Sequence, residues 1–365
     1  MRRERNAPVK ILISSHAFLP SVGGLENVSA MLADEFVRKG HKVMLVTQTM
    51  CAEDLAFPYP VIRRPRPLAL LRLVRWSDIY FHNNVSVRSA WPLLVVRKPW
   101  VVAHQTWIPR DGVAGWVGRL KHLLLAQATG ISISTAVACH LHTPSTVIGN
   151  PYEDSVFRAI PGIPRDKEIV FCGRLVSAKG ADLLLKALSI LGSKHLCPKL
   201  TIVGSGPEEP RLKAMATALG LADQVIFAGV KTGRELAACL NAHKIMAVPS
   251  IWQEPFGVVA LEGIACGCVV VGSDGGGLKD AIGPCGVTFP NGDTETLATR
   301  LEELLRMQQS IALYRVKAAA HLAGHIKTAV AEKYLQVFDA AINGHLSEFA
   351  PAEFGRESES FYDRE

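Results

Sequence analysis

One pattern recurs along most of this chain. A short apolar run leads into a glycine-bearing loop, and the loop leads into a segment with apolar residues at helical spacing. Residues 10–14 read as the first strand, Pro20, Gly23 and Gly24 mark the loop, and 25–39 places Leu25, Val28, Met31, Leu32, Phe36 and Val37 on one helical face. Gly40-His41 ends that helix, and 43–47 reads as a second strand. Further runs at 79–81, 100–104, 131–134 and 146–148 are apolar without strict alternation, as in parallel strands covered on both faces. The second half repeats the pattern, with strands over 168–172, 200–203, 225–228, 245–249 and 269–272. Helices are predicted between them over 181–191, 208–219, 233–242 and 258–266. This pattern predicts an α/β chain of two doubly wound, Rossmann-like domains facing each other across a cleft. The expected division is an N-terminal domain over 1–160, a second over 161–325, a terminal helix over 326–345 and a disordered acidic tail over 346–365. Pro161, Gly162 and Pro164 mark 158–165 as the linker, and 294–307 and 311–341 read as long helices.

A length of 365 residues accommodates two domains, and 48% hydrophobic with 20% charged residues is a globular composition. The formal charge is +7, but the last twenty residues hold six acids and two arginines, so the rest of the chain carries +11. A basic balance points to a nucleic acid, an anionic membrane or an anionic substrate. No nucleic-acid-binding motif accompanies it, so nucleic acid is not an expected partner. Arg63, Arg64, Arg66, Arg72 and Arg75 share a window without acids, and Arg110, Arg119 and Lys121 interleave with Trp107 and Trp116. Such basic and aromatic surface fits either an anionic membrane contact or an ordinary solvated face. The eight cysteines form no C-x-x-C pair and sit mostly in apolar runs, as reduced buried thiols do, which points to the cytoplasm. The first apolar run, 9–13, is broken by Lys10 and is too short for a signal peptide. The uncharged stretch 123–141 is too polar for a membrane span and reads as a helix end, a strand and a helix start.

The residues that bear chemistry fall at the predicted strand ends. Glu254 and Glu262 stand eight positions apart around Phe256-Gly257-Val258. With a helix starting near Gly257, Glu254 lies ahead of the helix N-terminus and Glu262 about one turn inside it. Unpaired N–H groups at such an end suit a phosphate, and carboxylates suit sugar hydroxyls. Loop punctuation plus one exposed helical glutamate is the competing reading of the spacing taken alone. Arg174 and Lys179, five apart on a loop opening a helix, suit a diphosphate. Gly204-Ser205-Gly206-Pro207 is a tight strand-to-helix turn, but Glu209 occupies the last glycine position of a G-x-G-x-x-G fingerprint, which argues against a dinucleotide. Cys139-His140-Leu141-His142 places two histidines at i, i+2, off a common helical face, so no metal is expected there. No D-x-D occurs anywhere in the chain.

The run from Pro249 to Asp280, PSIWQEPFGVVALEGIACGCVVVGSDGGGLKD, resembles that of the retaining GT-B glycosyltransferases of family GT4, and the resemblance extends over roughly 9–340. It implies transfer of a sugar from a nucleoside-diphosphate sugar to a hydroxyl of a glycan or lipid-linked acceptor, with retention. Surface-polysaccharide or glycolipid synthesis, by an enzyme held at the inner face of a membrane, is the implied setting. By the same resemblance Arg174 and Lys179 grip the diphosphate, Glu254 contacts the sugar and Glu262 the ribose. Gly23 and Gly24 approach the donor, Gly204 and Gly206 lie beside the nucleotide, Val230 meets the base, and His104 stands near the donor sugar. Arg174, Lys179 and the helix end can neutralise the diphosphate, so no metal or other cofactor is expected. Two features depart from the family pattern: Asn150-Pro151-Tyr152-Glu153-Asp154 replaces an Asn-Gly-Val-Asp run, and Asp280 replaces a glutamate. A nucleotide-sugar epimerase of the same fold and a non-catalytic nucleotide-sugar-binding protein are the alternative readings.

Overall fold

The computed structural model describes residues 7–344 apart from 22, 52–54, 109–124 and 142. The expected tail at 346–365 lies outside the described residues, as do Arg110, Trp116, Arg119 and Lys121. The described residues form two all-parallel sheets. The first comprises β1 (Lys10–Ser15), β2 (Lys42–Thr47), β3 (Val61–Arg63), β4 (Ile79–Asn83), β5 (Trp100–His104), β6 (Thr129–Ser132) and β7 (Ser145–Val147), in the order β3-β2-β1-β4-β5-β6-β7. The second comprises β8 (Lys167–Cys172), β9 (Leu200–Val203), β10 (Val225–Phe227), β11 (His243–Val248), β12 (Val269–Ser273) and β13 (Gly286–Phe289), in the order β10-β9-β8-β11-β12-β13.

The helices around the first sheet are α1 (Gly24–Arg38), α2 (Pro67–Trp76), the short α3 (Val87–Ala90) and α4 (Thr135–His140). Those that follow are α5 (Ala181–Ser193), α6 (Glu209–Ala218), α7 (Gly233–Asn241), α8 (Val258–Ala265), α9 (Leu278–Ile282), α10 (Thr294–Arg306), α11 (Gln308–Val316), α12 (Ala318–Ala323) and α13 (Lys327–Asn343).

Each strand order reverses once, between β1 and β4 and again between β8 and β11. Loops leaving neighbouring strands diverge at such a point and open a crevice at the carboxyl ends. The central strands are apolar throughout because helices cover both faces. In the second sheet Leu184, Leu188, Leu297 and Leu301 fill one side, and Leu236, Leu240, Leu261 and Ile264 the other. In the first sheet α1 and α13 cover one face through Phe36, Tyr334 and Phe338, while Leu70 and Val74 of α2 pack on the other with Trp100. The last helix therefore packs on the sheet formed by the start of the chain, with Tyr334 edge-on to Phe81 at 5.5 Å between ring centres.

The structure departs from the sequence reading in three places. First, β3, α2, α9 and β13 were not anticipated. The helix α2 buries only Leu70 and Val74 and leaves Leu68 and its arginines at the surface, so its apolar stripe is narrow. Second, the single helix expected over 311–341 is three helices. The backbone becomes extended at Ile326, which bridges to Tyr152, and Asp154 Oδ1 accepts the Lys327 N–H at 3.3 Å to start α13 afresh. Third, the segment read as a linker is stapled to the second sheet. Asn241 bonds both the Ile160 N–H and the Arg158 carbonyl at 2.9 Å, and Arg165 donates to the carbonyls of Leu240, His243 and Cys266.

The Tyr334 hydroxyl is buried and has no hydrogen-bond partner among the described residues, and burial pushes its pKa up. Removing the hydroxyl removes a desolvation penalty, whereas removing the ring opens a cavity. Tyr334→Phe is expected to raise stability by about 1 kcal/mol and Tyr334→Ala to lower it by about 3–5 kcal/mol, read by denaturant unfolding.

Candidate active site

The two reversal points face one another across a cleft of about 1070 Å³. Gly24, Leu25, Asn27, Met31, Gln105 and Thr106 wall it from the first sheet. Gly173, Arg174, Lys179, Glu254, Phe256, Gly257, Val258 and Glu262 wall it from the second. The loops after β8 and β11 deliver the charged groups, because those two strands flank the second reversal point.

Glu254 is fixed at both backbone and carboxylate. Its carbonyl accepts the Gly277 N–H at 2.7 Å, in a bridge with the 275–277 glycines. Its Oε1 accepts from the buried Ser250 hydroxyl at 2.7 Å and from Lys179 Nζ at 2.5 Å. Lys179 thus pairs with Glu254, a contact the sequence did not reveal. Gly180 ends the Lys179 turn at φ 67, where a Cβ would lie 1.9 Å from the Pro249 carbonyl oxygen. Only glycine lets those two loops close on each other. Arg174 is exposed to the cleft, and no acid among the described residues pairs with it.

The helix α8 opens at Gly257, at φ 102, and its first residues, Val258 and Val259, line the cleft with Glu254, so its unpaired N–H groups lie at the cleft wall. Glu262 lies one turn in, half-buried at the cleft wall. Loss of hydration there pushes its carboxyl up to about 8. Phe256 is buried against His325, at 5.6 Å between ring centres, so it anchors the loop as well as lining the cleft.

Other predicted positions stand elsewhere. His104 is buried at the end of β5 and does not line the cleft; Gln105 and Thr106, in the loop just beyond the strand, line it instead. Gly23 also lies off the cleft wall. Glu26 nearby is buried, folding over Gly23 and accepting from Ser21 Oγ at 3.1 Å. Gly204 and Gly206 do not line the cleft either. A Cβ on them would lie 1.9 Å from the Gly173 oxygen and 2.4 Å from the Leu175 oxygen, so they let the β9 turn pack against the Arg174 loop. Val230 is 63% exposed outside the cleft, whose wall continues instead through Lys231, Thr232 and Gly233. Trp107 is half-buried, and its indole donates to the Gln253 carbonyl at 2.7 Å. His140 is edge-on to Trp107, with Nε2 bonded to the Ile108 carbonyl at 2.7 Å. No group of three His, Cys, Asp or Glu among the described residues converges as metal ligands would.

Sequence reasoning missed a buried amide chain at the cleft floor. Gln105 and Asn150 exchange reciprocal hydrogen bonds at 2.8 and 3.1 Å, Gln105 also donates to Asn83 Oδ1 at 2.8 Å, and Asn83 donates to Ser29 Oγ at 2.6 Å. His325 Nδ1 bonds the Asn150 carbonyl at 3.2 Å; burial pushes this imidazole down to about 4, so it stays neutral. The only advance signal was Asn150 within a segment already noted as unusual.

The sequence profile of the family described as glycosyl transferases group 1 matches residues 154–321. An uncharacterized glycosyltransferase of Methanocaldococcus jannaschii is 38% identical over 310 residues, covering 72% of this chain and 79% of that protein. The chain belongs to the glycosyl transferases group 1 family. Another relative within it, the D-inositol 3-phosphate glycosyltransferase of Mycobacteroides abscessus, is 34% identical over 206 residues, which is 55% of this chain and 46% of that protein. The chain thus spans about half the length of the curated relatives of that name that it matches. Among solved structures, Anabaena HepE in complex with UDP superposes with a TM-score of 0.77 at 19% identity, covering 91% of this chain and 100% of that one. WaaG, a glycosyltransferase involved in lipopolysaccharide biosynthesis, superposes with a TM-score of 0.67 at 18% identity, covering 92% and 100%. At these identities the likeness is one of fold, and the fold of this group 1 chain is GT-B.

Glu262 generates a pH prediction. Its carboxyl titrates near 8 in the folded chain against an ordinary value of 4.5, so between those values the folded state holds the proton that the unfolded state has lost. Stability of the ligand-free protein should therefore fall as pH rises from about 5 to about 8. The slope should stay below about 1.4 kcal/mol per pH unit because the cleft admits water. Glu262→Gln is expected to flatten that part of the melting-temperature profile.

Proposed function

We propose that the protein transfers a sugar from a nucleoside-diphosphate sugar to an acceptor hydroxyl with retention of configuration, in surface-polysaccharide or glycolipid synthesis. The observation that carries the reading is the convergence of Arg174, Lys179, Glu254, Glu262 and the α8 N-terminus in one cleft. The diphosphate lies against Arg174, Lys179 and the helix N–H groups, which stabilise it as the bond from the sugar C1 to the diphosphate oxygen breaks. Glu254 holds the sugar hydroxyls and Glu262 the ribose hydroxyls. The departing diphosphate oxygen takes the acceptor proton as the acceptor oxygen bonds C1 on the same face. Because Lys179 rests on Glu254, donor binding transfers its charge to phosphate while Ser250 keeps its hold on the carboxylate. Two cations and a helix end supply the neutralisation, so the reaction proceeds without a metal. The names of relatives and neighbours support the donor class: HepE has been solved with UDP and glucose. The name D-inositol 3-phosphate glycosyltransferase, borne by several relatives, supports a phosphate-bearing polyol as a candidate acceptor.

In a thermal-shift screen of UDP-, GDP- and ADP-sugars, one nucleotide is expected to stabilise the protein equally with magnesium and with EDTA. A ligand at a hundred times its dissociation constant adds about 2.7 kcal/mol. Arg174→Ala is expected to keep its melting temperature and to lose about a hundredfold or more in transfer rate. Near-normal transfer in that variant, or an EDTA-abolished activity restored by magnesium, would contradict the reading.

The proposed setting is an anionic membrane surface. Its support is α2, which exposes Arg72, Arg75 and Leu68 at 70% on a face without acids. No helix among the described residues is long and apolar enough to cross a membrane. The protein should cosediment with phosphatidylglycerol vesicles at low salt and be released as salt rises. Failure to bind at low salt would refute the contact.

A further inference from the structure

A second concavity, of about 200 Å³, opens on the first sheet at the carboxyl ends of β1 and β2. The glycine loop joins it to the main cleft: His16, where the loop begins, lines the small pocket, and Leu19 and Gly24 line the large one. Its floor is a layer of buried hydroxyls. Ser14 Oγ donates to Ser89 Oγ at 2.8 Å, and Thr47 Oγ1 donates to the His16 carbonyl at 3.1 Å. Cations stand at its rim. Arg88 is exposed there, and no acid among the described residues pairs with it. Arg64, at φ 47 in the left-handed region that residues other than glycine seldom take, does not line the pocket, but its Nε donates to the carbonyl of lining Gln48 at 3.1 Å, which holds a second guanidinium nearby. None of the lining residues is acidic. A polar, hydroxyl-floored pocket beside a reactive cleft, with a guanidinium at its rim lacking a counter-ion, is built for a ligand that carries its own negative charge.

We propose that this pocket seats a phosphate group of the acceptor, with the Arg88 guanidinium as its principal partner and Arg64 and His16 beside it. The proposal deepens the transferase reading and rests on it. The phosphate can belong to a soluble phosphate monoester or to a lipid headgroup, and both offer Arg88 the same oxygens. Size favours this assignment: the pocket admits a phosphate or one small ring, while the much larger cleft on the other side of the loop accommodates a nucleotide sugar. A guanidinium-to-phosphate contact also fixes orientation through two parallel hydrogen bonds, so it would aim the acceptor hydroxyl as well as retain it.

The test uses the full chain saturated with UDP, or with whichever nucleoside diphosphate binds, and titrates D-inositol 3-phosphate, vesicles carrying phosphatidylinositol, and uncharged inositol. The wild type is expected to bind one phosphate-bearing probe and not inositol. Arg88→Ala should weaken that probe tenfold to a hundredfold and Arg88→Lys should restore part of the loss, with nucleotide affinity the same in all three. The arm that loses affinity identifies the source, soluble or lipid. Equal binding of the phosphate probe by wild type and Arg88→Ala would overturn the proposal, as would binding of inositol as tight as that of its phosphate. So would failure of both phosphate probes beside normal nucleotide binding. Failure of every nucleoside diphosphate to bind the wild type is a separate readout; it would overturn the donor-site reading and this proposal with it.

Discussion

The loop that carries Glu254 is gripped by backbone contacts too close for any side chain, and the cleft depends on that grip. Gly180 meets the Pro249 carbonyl, Gly276 meets the Glu254 carbonyl, and Gly277 meets both the Pro255 carbonyl and the Ser134 side chain; at each, an added Cβ would come within 2.5 Å of another atom. Trp252 and Ile251 add backbone bonds to the Ala178 carbonyl. The result is a carboxylate whose backbone cannot drift, so the Lys179 and Ser250 bonds on its Oε1 orient it instead of merely finding it. A preorganised charged group contributes to catalysis because it needs no reorganisation when charge develops.

The same compactness joins the two sheets. Asp280, which departs from the family pattern, accepts the Thr135 N–H at 2.6 Å at the start of α4 and so ties the second sheet's α9 to the first sheet. Trp107 reaches from the first sheet to the Gln253 carbonyl, one residue before Glu254. The Asn150–Asp154 departure serves the same end: Glu153 pairs with Lys327, and Asp154 starts the helix that returns to β1. Both unusual motifs therefore have structural duties at the junction of the sheets, and neither bonds Arg174, Lys179, Glu254 or Glu262.

The first sheet divides its surface between two concavities on either side of one loop, and their chemistries differ. The large cleft presents carboxylates and cations together, with one carboxyl, Glu262, held high by burial. The small pocket presents Arg88, His16 and hydroxyls beside apolar residues, with no carboxylate among its lining. The two concavities thus offer different electrostatic surroundings on either side of one loop.

The sequence by itself determined the alternation of strands and helices, because apolar runs buried on two faces and amphipathic helices leave unmistakable periods. It also placed Arg174, Lys179 and Glu254 in loops at strand ends and Glu262 one turn into the helix that follows, since glycine loops mark where a parallel strand stops. It could not show β3, whose three residues carry an arginine, nor the breaks in the last helices, which a distant partner at Tyr152 imposes. Which residues face the cleft was likewise a tertiary matter: His104, the last residue of β5, stands off the cleft, whereas Gln105 and Thr106 just beyond it are part of its wall. The Lys179–Glu254 pair, the Gln105–Asn150 amide pair and the Asp280 staple join residues 75, 45 and 145 positions apart. The first two each join loops of one sheet and the third joins the two sheets, and local spacing along the chain carries no record of such distant partners.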